Sequence, residues 1–329
     1  MDIAEVLGSS LRATFGPAAA AFAIATLGLN LQFGYTGLLN FGHVAFLMTG
    51  AYGTAITVDQ GGSLWLGIAV GLAASVVLAL IFGLPTLRLR ADYLAIVTIA
   101  GGEVLRVVIR SGGEDSLTRG VFGITQFANE FFDLNPIPKG RYGFGQFSYS
   151  ERSLWVMCVG WVAFAVLTCV VMLLTRSPWG RVLRSVREDE DASRAVGKNV
   201  FRYKLQALAL GGAIGAFAGI LIAIERQSVN PDSYLPAGTF TAYALLILGG
   251  AGTRLGPFVG SLSYWFVIEF TDSTLRQGQL HGWIPRSVID TTDLGAVRFM
   301  LVGAALMALA AFRPQGILGN REEVMLDGR

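Results

Sequence analysis

Apolar stretches of about twenty residues, separated by short polar joints, set the pattern of the chain. Ala13 to Phe33, Leu38 to Val58, Leu64 to Leu84, Ser153 to Thr175 and Leu205 to Ile224 contain no Asp, Glu, Lys or Arg. Tyr93 to Ile109 is a weaker stretch that carries Glu103 and Arg106. Gly238 to Thr253 and Leu255 to Phe270 are two apolar pieces parted by Arg254, and Leu294 to Phe312 closes the series. A helix crossing the hydrocarbon core needs about 20 apolar residues. The pattern predicts an all-α polytopic membrane helix bundle of about nine crossings, with residues 1–329 forming a single transmembrane domain.

Basic residues on short loops orient such a chain. The loop 176–204 holds Arg176, Arg181, Arg184, Arg187, Arg194, Lys198, Arg202 and Lys204, which places it in the cytoplasm. Arg88 and Arg90, Arg254, and Arg313, Arg321 and Arg329 then share that face. Residues 111–152, with mixed charge and Phe131, Phe132, Pro136 and Pro138, become an extracytoplasmic loop, and the N-terminus lies outside. Met1 to Gly16 has Asp2 and Glu5 but no basic n-region, so it is not read as a signal peptide.

Composition agrees. Hydrophobic residues make up 53% of the chain and charged residues 15%, against roughly 25% charged in soluble domains. The mean hydropathy is +0.56. Glycine is abundant, with 42 residues, as suits helices that approach closely. A net charge of +2 does not suggest nucleic-acid binding. Cys158 and Cys169 share one apolar run and read as small packing or lipid-facing residues.

Three segments depart from plain spans. Gly34-Tyr-Thr-Gly-Leu-Leu-Asn-Phe-Gly-His-Val-Ala-Phe puts Gly, Asn40 and His43 where a lipid-facing helix has no use for them. Backbone that leaves the helix at membrane depth is tolerated inside protein or beside a water cavity, and transporters aim such breaks at substrate. A tightly packed Gly-rich helix with a hydrogen-bonded Asn and His fits the same residues. Leu248-Gly-Gly-Ala-Gly-Thr-Arg-Leu-Gly-Pro-Phe-Val-Gly260 is a second interruption, either one of a pair of broken segments suggesting inverted repeats or a turn between two spans. Arg184 to Gly197 reads as one short cytoplasmic helix ended by Gly197. Val186, Ala192, Ala195 and Val196 give it a small apolar face that suits a partner's groove; a solvated topology anchor is the alternative. Glu103 and Arg106 stand three apart and can face each other, or lie near the outer interface.

No Gly-x-x-x-x-Gly-Lys-Ser/Thr loop and no His-Glu-x-x-His pattern occurs. The chain is expected to be no enzyme, with no cofactor, metal or catalytic residue of its own.

Together these pieces resemble the permease subunits of branched-chain amino acid ABC importers, specifically the second of the two paired permeases. The resemblance rests on Gly37-Leu-Leu-Asn-Phe-Gly-His-Val-Ala-Phe with Gly50-Ala-Tyr; Pro85-Thr-Leu-Arg-Leu-Arg-Ala-Asp-Tyr-Leu-Ala-Ile-Val-Thr98 with Glu103; Ser177-Pro-Trp-Gly-Arg181 with Val186 to Ala192 and Gly197; Leu248-Gly-Gly-Ala-Gly-Thr with Gly256-Pro; and Phe312-Arg-Pro-Gln-Gly-Ile-Leu-Gly319. It implies a bacterial inner-membrane importer with a partner permease, two cytoplasmic ATPase subunits that hold ATP and Mg2+, and an extracytoplasmic solute-binding protein. It also assigns coupling to the ATPases to Arg187, Glu188, Asp189, Glu190, Ala192 and Gly197. Candidate substrate-path residues are Tyr35, Asn40, His43, Thr98, Glu103, Gly249 and Gly250. Two departures bear on the solute: Asn40, where relatives often carry Ser, and Leu117 to Ile124, which lacks the usual Thr-Gly-Gly. A urea or amide permease of the same family, a stand-alone secondary transporter and a membrane-embedded enzyme are the rival readings.

Overall fold

The computed structural model describes residues 3–87, 91–113, 117–280, 294–313 and 315–319. Arg88, Arg90, Arg321 and Arg329, used above to orient the chain, lie outside the described residues.

Helix α1 (Ile3–Phe15) was not expected from the span pattern. It is short and carries Glu5 and Arg12, so it fails a span criterion based on length and charge. Its signal was periodicity: Leu7, Leu11 and Phe15 form an outward stripe, while Val6, Ser10 and Thr14 are buried. Gly16 breaks the chain, and Pro17 opens α2 (Pro17–Leu29) at a position that needs no backbone donor. Helix α2 is apolar on all sides and enclosed, and it runs into a π-helical turn, Asn30–Gly34.

Helices α3 (His43–Asp59) and α4 (Leu64–Thr86) are joined by a tight connection at 60–63. With 17 residues against 23, α3 begins roughly 9 Å short of the far end of α4 at 1.5 Å per residue. Helix α5 (Ala91–Arg110) leads into a folded segment at the opposite end. That segment holds strand β1 (Ile124–Thr125), α6 (Asn129–Asp133) and a hairpin of β2 (Arg141–Phe144) and β3 (Phe147–Ser150). Arg141 faces Ser150 and Phe144 faces Phe147 across the hairpin. Residues 111–152 are therefore an ordered cap where described: the Glu130 carboxylate accepts from Leu64 N at 2.8 Å, and Arg119 pairs with Asp59 at 2.7 Å.

Helix α7 (Glu151–Arg176) returns to the Arg-rich end, where α8 (Pro178–Glu188) and α9 (Glu190–Ala195) lie. Helix α10 (Val200–Arg226) runs back and ends beside β4 (Ser228–Val229), which pairs with β1. A 3-10 turn, Pro231–Tyr234, precedes α11 (Ala237–Gly249), α12 (Gly256–Leu280) and α13 (Leu294–Phe312). Helix α12 runs antiparallel to α1, with Ser9 and Ser273 hydroxyls 2.8 Å apart and Gln277 donating to Glu5 at 2.7 Å.

The centre is α10. Gly211, Gly215 and Gly219 recur every fourth residue along it. A Cβ at Gly211 would meet the Gly28 carbonyl of α2, and one at Gly219 would meet the Leu47 carbonyl of α3. Packing at backbone contact is how helices associate where solvent is as apolar as their side chains.

Every predicted apolar stretch carries a helix, although residues 38–42 precede α3 and Gly16 divides the first stretch, and not every helix is of span length. Among the described residues, four helical segments are long and apolar enough to cross a membrane: Pro17–Gly34, Leu64–Thr86, Glu151–Arg176 and Val200–Arg226. Helix α11, with 13 residues, is roughly 20 Å long, short of a core of about 30 Å.

Candidate functional site

The predicted cytoplasmic helix 184–197 is two helices. Ser177 is extended and Pro178 starts α8. Leu183 and Val186 are buried and fasten α8 to the bundle. Arg184 donates to the Thr175 carbonyl at 2.8 Å, and Trp179 Nε1 donates to Gln206 at 2.8 Å. Asp189 then turns extended, and its carboxylate accepts from the backbone N–H of Asp191 (2.8 Å) and Ala192 (2.9 Å). Asp competes with helix continuation by capping the next helix, so the acidic run divides the segment. Gly197, at φ +79°, ends α9 in the left-handed region, where glycine carries no steric penalty.

The two helices are locked together. The hydroxyls of Ser185 and Ser193 are 2.7 Å apart. Glu190 pairs with Lys204 of α10 and with Arg194 at 2.9 Å, and Arg194 also reaches Asp191. The expected apolar face is split: Val186 points inward, whereas Ala192, Ala195 and Val196 are exposed, Val196 at 71%. Glu188 is exposed beside them.

Arg187 points the other way. Its Nη1 donates to the Gly34 carbonyl at 2.6 Å, the end of the π turn. Its side-chain stem lies against Gly37, and its guanidinium lies beside Gly252. Asn30, at the start of the π turn, donates to the Thr253 carbonyl at 2.9 Å and accepts from Gly252 N at 2.8 Å. Both Gly-rich interruptions and the charged segment therefore meet around one guanidinium. The second interruption is a turn joining α11 to α12, and its Gly249 carbonyl accepts from Leu318 N at 3.1 Å.

The remaining sequence candidates fall into two groups. Tyr35, Asn40, His43 and Thr98 are all buried within the chain. Asn40 donates to Gln32 at 2.9 Å, and Gln32 donates to the Leu208 carbonyl at 3.0 Å. His43 Nε2 lies 3.0 Å from the Ala25 carbonyl, and Thr98 accepts from Phe41 N at 3.1 Å. Through Gln32, Asn40, Phe41 and His43 these bonds staple the chain on either side of residues 35–39 to α2, α5 and α10. Asn30 and Gln32 belong to this seam and were missed, although an Asn and a Gln inside an apolar run were the available signal. Helices α3 and α11 also start side by side, with Val44 N donating to Thr239 Oγ1 at 2.9 Å. Glu103 stands apart from both seam and turn. It pairs with Arg106 at 2.5 Å, and Arg106 reaches Asp232 of the 3-10 turn at 3.0 Å. Among the described residues no cluster of His, Cys, Asp or Glu could hold a metal ion.

Long apolar helices packed through glycine, with a charged two-helix segment at one end, define an integral membrane protein of the polytopic helical class. Residues 16–285 match the family described as "Branched-chain amino acid transport system / permease component", and the chain belongs to that family. It is 29% identical over 308 residues to the high-affinity branched-chain amino acid transport system permease protein LivM of Salmonella typhimurium, covering 90% of this chain and 67% of that one. It is 26% identical to the probable LivM permease of Methanocaldococcus jannaschii, covering 91% and 90%. The match to the LivH permease of Escherichia coli K12 is 24% identical, covering 92% of each.

Proposed function

We propose that this chain is one of two permease subunits of an ATP-driven importer of branched-chain amino acids in a bacterial inner membrane. A paralogous permease completes the solute path. Two cytoplasmic ATPase subunits carry the ATP and Mg2+, and an extracytoplasmic binding protein delivers the solute. The observation that carries this reading is Arg187, which links the charged segment to the Gly34 break and the Gly252 turn. ATPase closure pushes on the exposed side of α8 and α9, at Glu188, Ala192 and Val196. Asp189, Glu190 and Gly197 keep that surface in shape, and Arg187 passes the displacement to both glycine-broken segments.

In this reading all nine apolar segments traverse the bilayer, with α11 completed by the stretch 228–236, a short strand and a 3-10 turn. The side-by-side starts of α3 and α11 support an inverted arrangement of the two halves. The Arg-rich end is cytoplasmic, and the ordered cap at 111–152 faces the binding protein. Tyr35, Asn40, His43, Thr98, Gly249 and Gly250 act as the wall that moves with the path. Glu103 anchors the outer end of α5. Tight solute binding is left to the binding protein, since a path must release what it accepts. Asn40 is engaged by Gln32 and Gly42, so its departure from Ser concerns packing within the chain rather than a changed solute.

The assembled importer in proteoliposomes tests this. Glu188→Ala is expected to lower uptake and solute-stimulated ATPase together on the order of tenfold, the scale of losing a charged interfacial contact. Glu190→Ala should do the same by loosening α9 from Lys204. Normal uptake and normal stimulation in both variants would remove the coupling role.

A further inference from the structure

At the end of the bundle that carries the hairpin, α1, β3, α7, α10 and α12 surround a crevice of about 290 Å3, near the lower limit of small-molecule sites. Arg12, Glu225, Glu269, Trp265 and Tyr149 line it. Among the described residues, the side chains of Arg12, Glu225 and Glu269 form no ion pair or hydrogen bond. Asp272 takes the contact pairs with Arg276 at 2.6 Å and Arg298 at 3.1 Å, so Glu269 feels Arg298, Arg276 and Arg12 only at longer range. Trp265 Nε1 is buried and has no acceptor. Burial raises Tyr149 to about 12, so its hydroxyl stays a neutral donor, held by the Arg12 carbonyl. Two carboxylates, one guanidinium and an orphan indole N–H thus share one crevice. The Arg12 guanidinium lies over the Tyr149 ring, 5.9 Å from its centroid, so the three charges have neighbours but no contact ion pair, an arrangement that is costly near a membrane.

The crevice continues outward. Tyr149 is shared with an apolar groove of about 490 Å3 that also includes Phe15, Leu154, Met157 and Trp161. Phe15 and Trp161 are shared in turn with a second apolar groove of about 520 Å3, which reaches Phe164, Thr168 and Phe258. From Leu154 to Thr168 the grooves follow α7 for roughly 21 Å, longer than one leaflet's share of a core of about 30 Å. Phe15, the last residue of the outward stripe of α1, lines both grooves.

We infer that this crevice and groove hold one phospholipid with a primary-amine headgroup. The ammonium sits between Glu225 and Glu269, the phosphate takes Arg12 and the Trp265 N–H, and an acyl chain follows α7. A primary ammonium donates charge-assisted hydrogen bonds to carboxylates, which a quaternary ammonium cannot do. An anionic headgroup without a cation meets two carboxylates and one guanidinium.

The test takes the full chain purified in mild detergent and adds phosphatidylethanolamine, phosphatidylcholine or phosphatidylglycerol with identical acyl chains. Native mass spectrometry reads the lipid retained. Retention of phosphatidylethanolamine is expected to exceed that of phosphatidylcholine by roughly tenfold, the scale of one charge-assisted bond. Glu225→Gln with Glu269→Gln should abolish the preference. Equal retention of the three lipids by the unmodified protein overturns the assignment, whatever the variants do. A melting-temperature rise with free leucine or O-phosphoethanolamine equal to that with the lipid also overturns it, since the crevice would then be a site for a free zwitterion.

Discussion

Arg187→Ala is expected to leave the importer assembled and able to hydrolyse ATP while uptake per complex falls roughly 10- to 100-fold. The range follows from a hydrogen bond to a charged donor, worth about 1.5–3 kcal/mol, if the bond is needed to transmit motion. Arg187 is exposed like Glu188, but its guanidinium reaches back to Gly34, so its loss removes a link that the Glu188→Ala change leaves in place. Its partner is a carbonyl that the π turn frees from regular helix pairing. π turns of this kind recur at functional sites. Arg187→Lys retains the charge but not the planar fork and should fall between the two. Uptake and ATPase measured together in proteoliposomes decide the matter. Uptake within about twofold of the unmodified importer would mean that Arg187 only anchors the segment; the twofold margin corresponds to about 0.4 kcal/mol.

Gly219→Val is expected to prevent stable insertion of the bundle. The added Cβ would lie on the Leu47 carbonyl of α3, and backbone cannot swing aside as a flexible side chain can. Forcing α3 and α10 apart costs about 3 kcal/mol or more in a packed interior and opens the contact that centres the fold. The outcome is read as the fraction surviving size-exclusion chromatography in detergent. A control such as Gly303→Ala, with open space around its Cβ, should survive. Equal survival of both variants would show that the α3–α10 contact does not hold the bundle together.

The spans were legible because apolar runs of membrane length have few alternatives. The charged segment was legible as a surface feature, but its division was not. Asp189 reads equally as a helix residue and as a cap until its carboxylate is seen accepting from Asp191 and Ala192. Arg187 was given a coupling role from family likeness; its bond to the Gly34 carbonyl depends on where α8 lies against the π turn, which no local pattern encodes. Asn40 and His43 were legible as unusual residues for a span. Their partners, Gln32 and the Ala25 carbonyl, depend on how the chain re-enters after Gly34. Helix α1 was missed because a length-and-charge criterion excludes it, although its fourfold stripe was present.

Residues 317–318 gain a use from their backbone. Ile317 and Leu318 donate to the Leu248 and Gly249 carbonyls at 2.9 and 3.1 Å, stitching residues 317–318 onto the last turn of α11. Residues 317–318 therefore travel with the glycine turn beside Arg187. A fluorophore on Leu318, whose side chain is 43% exposed, would act as an optical gauge of each transport cycle.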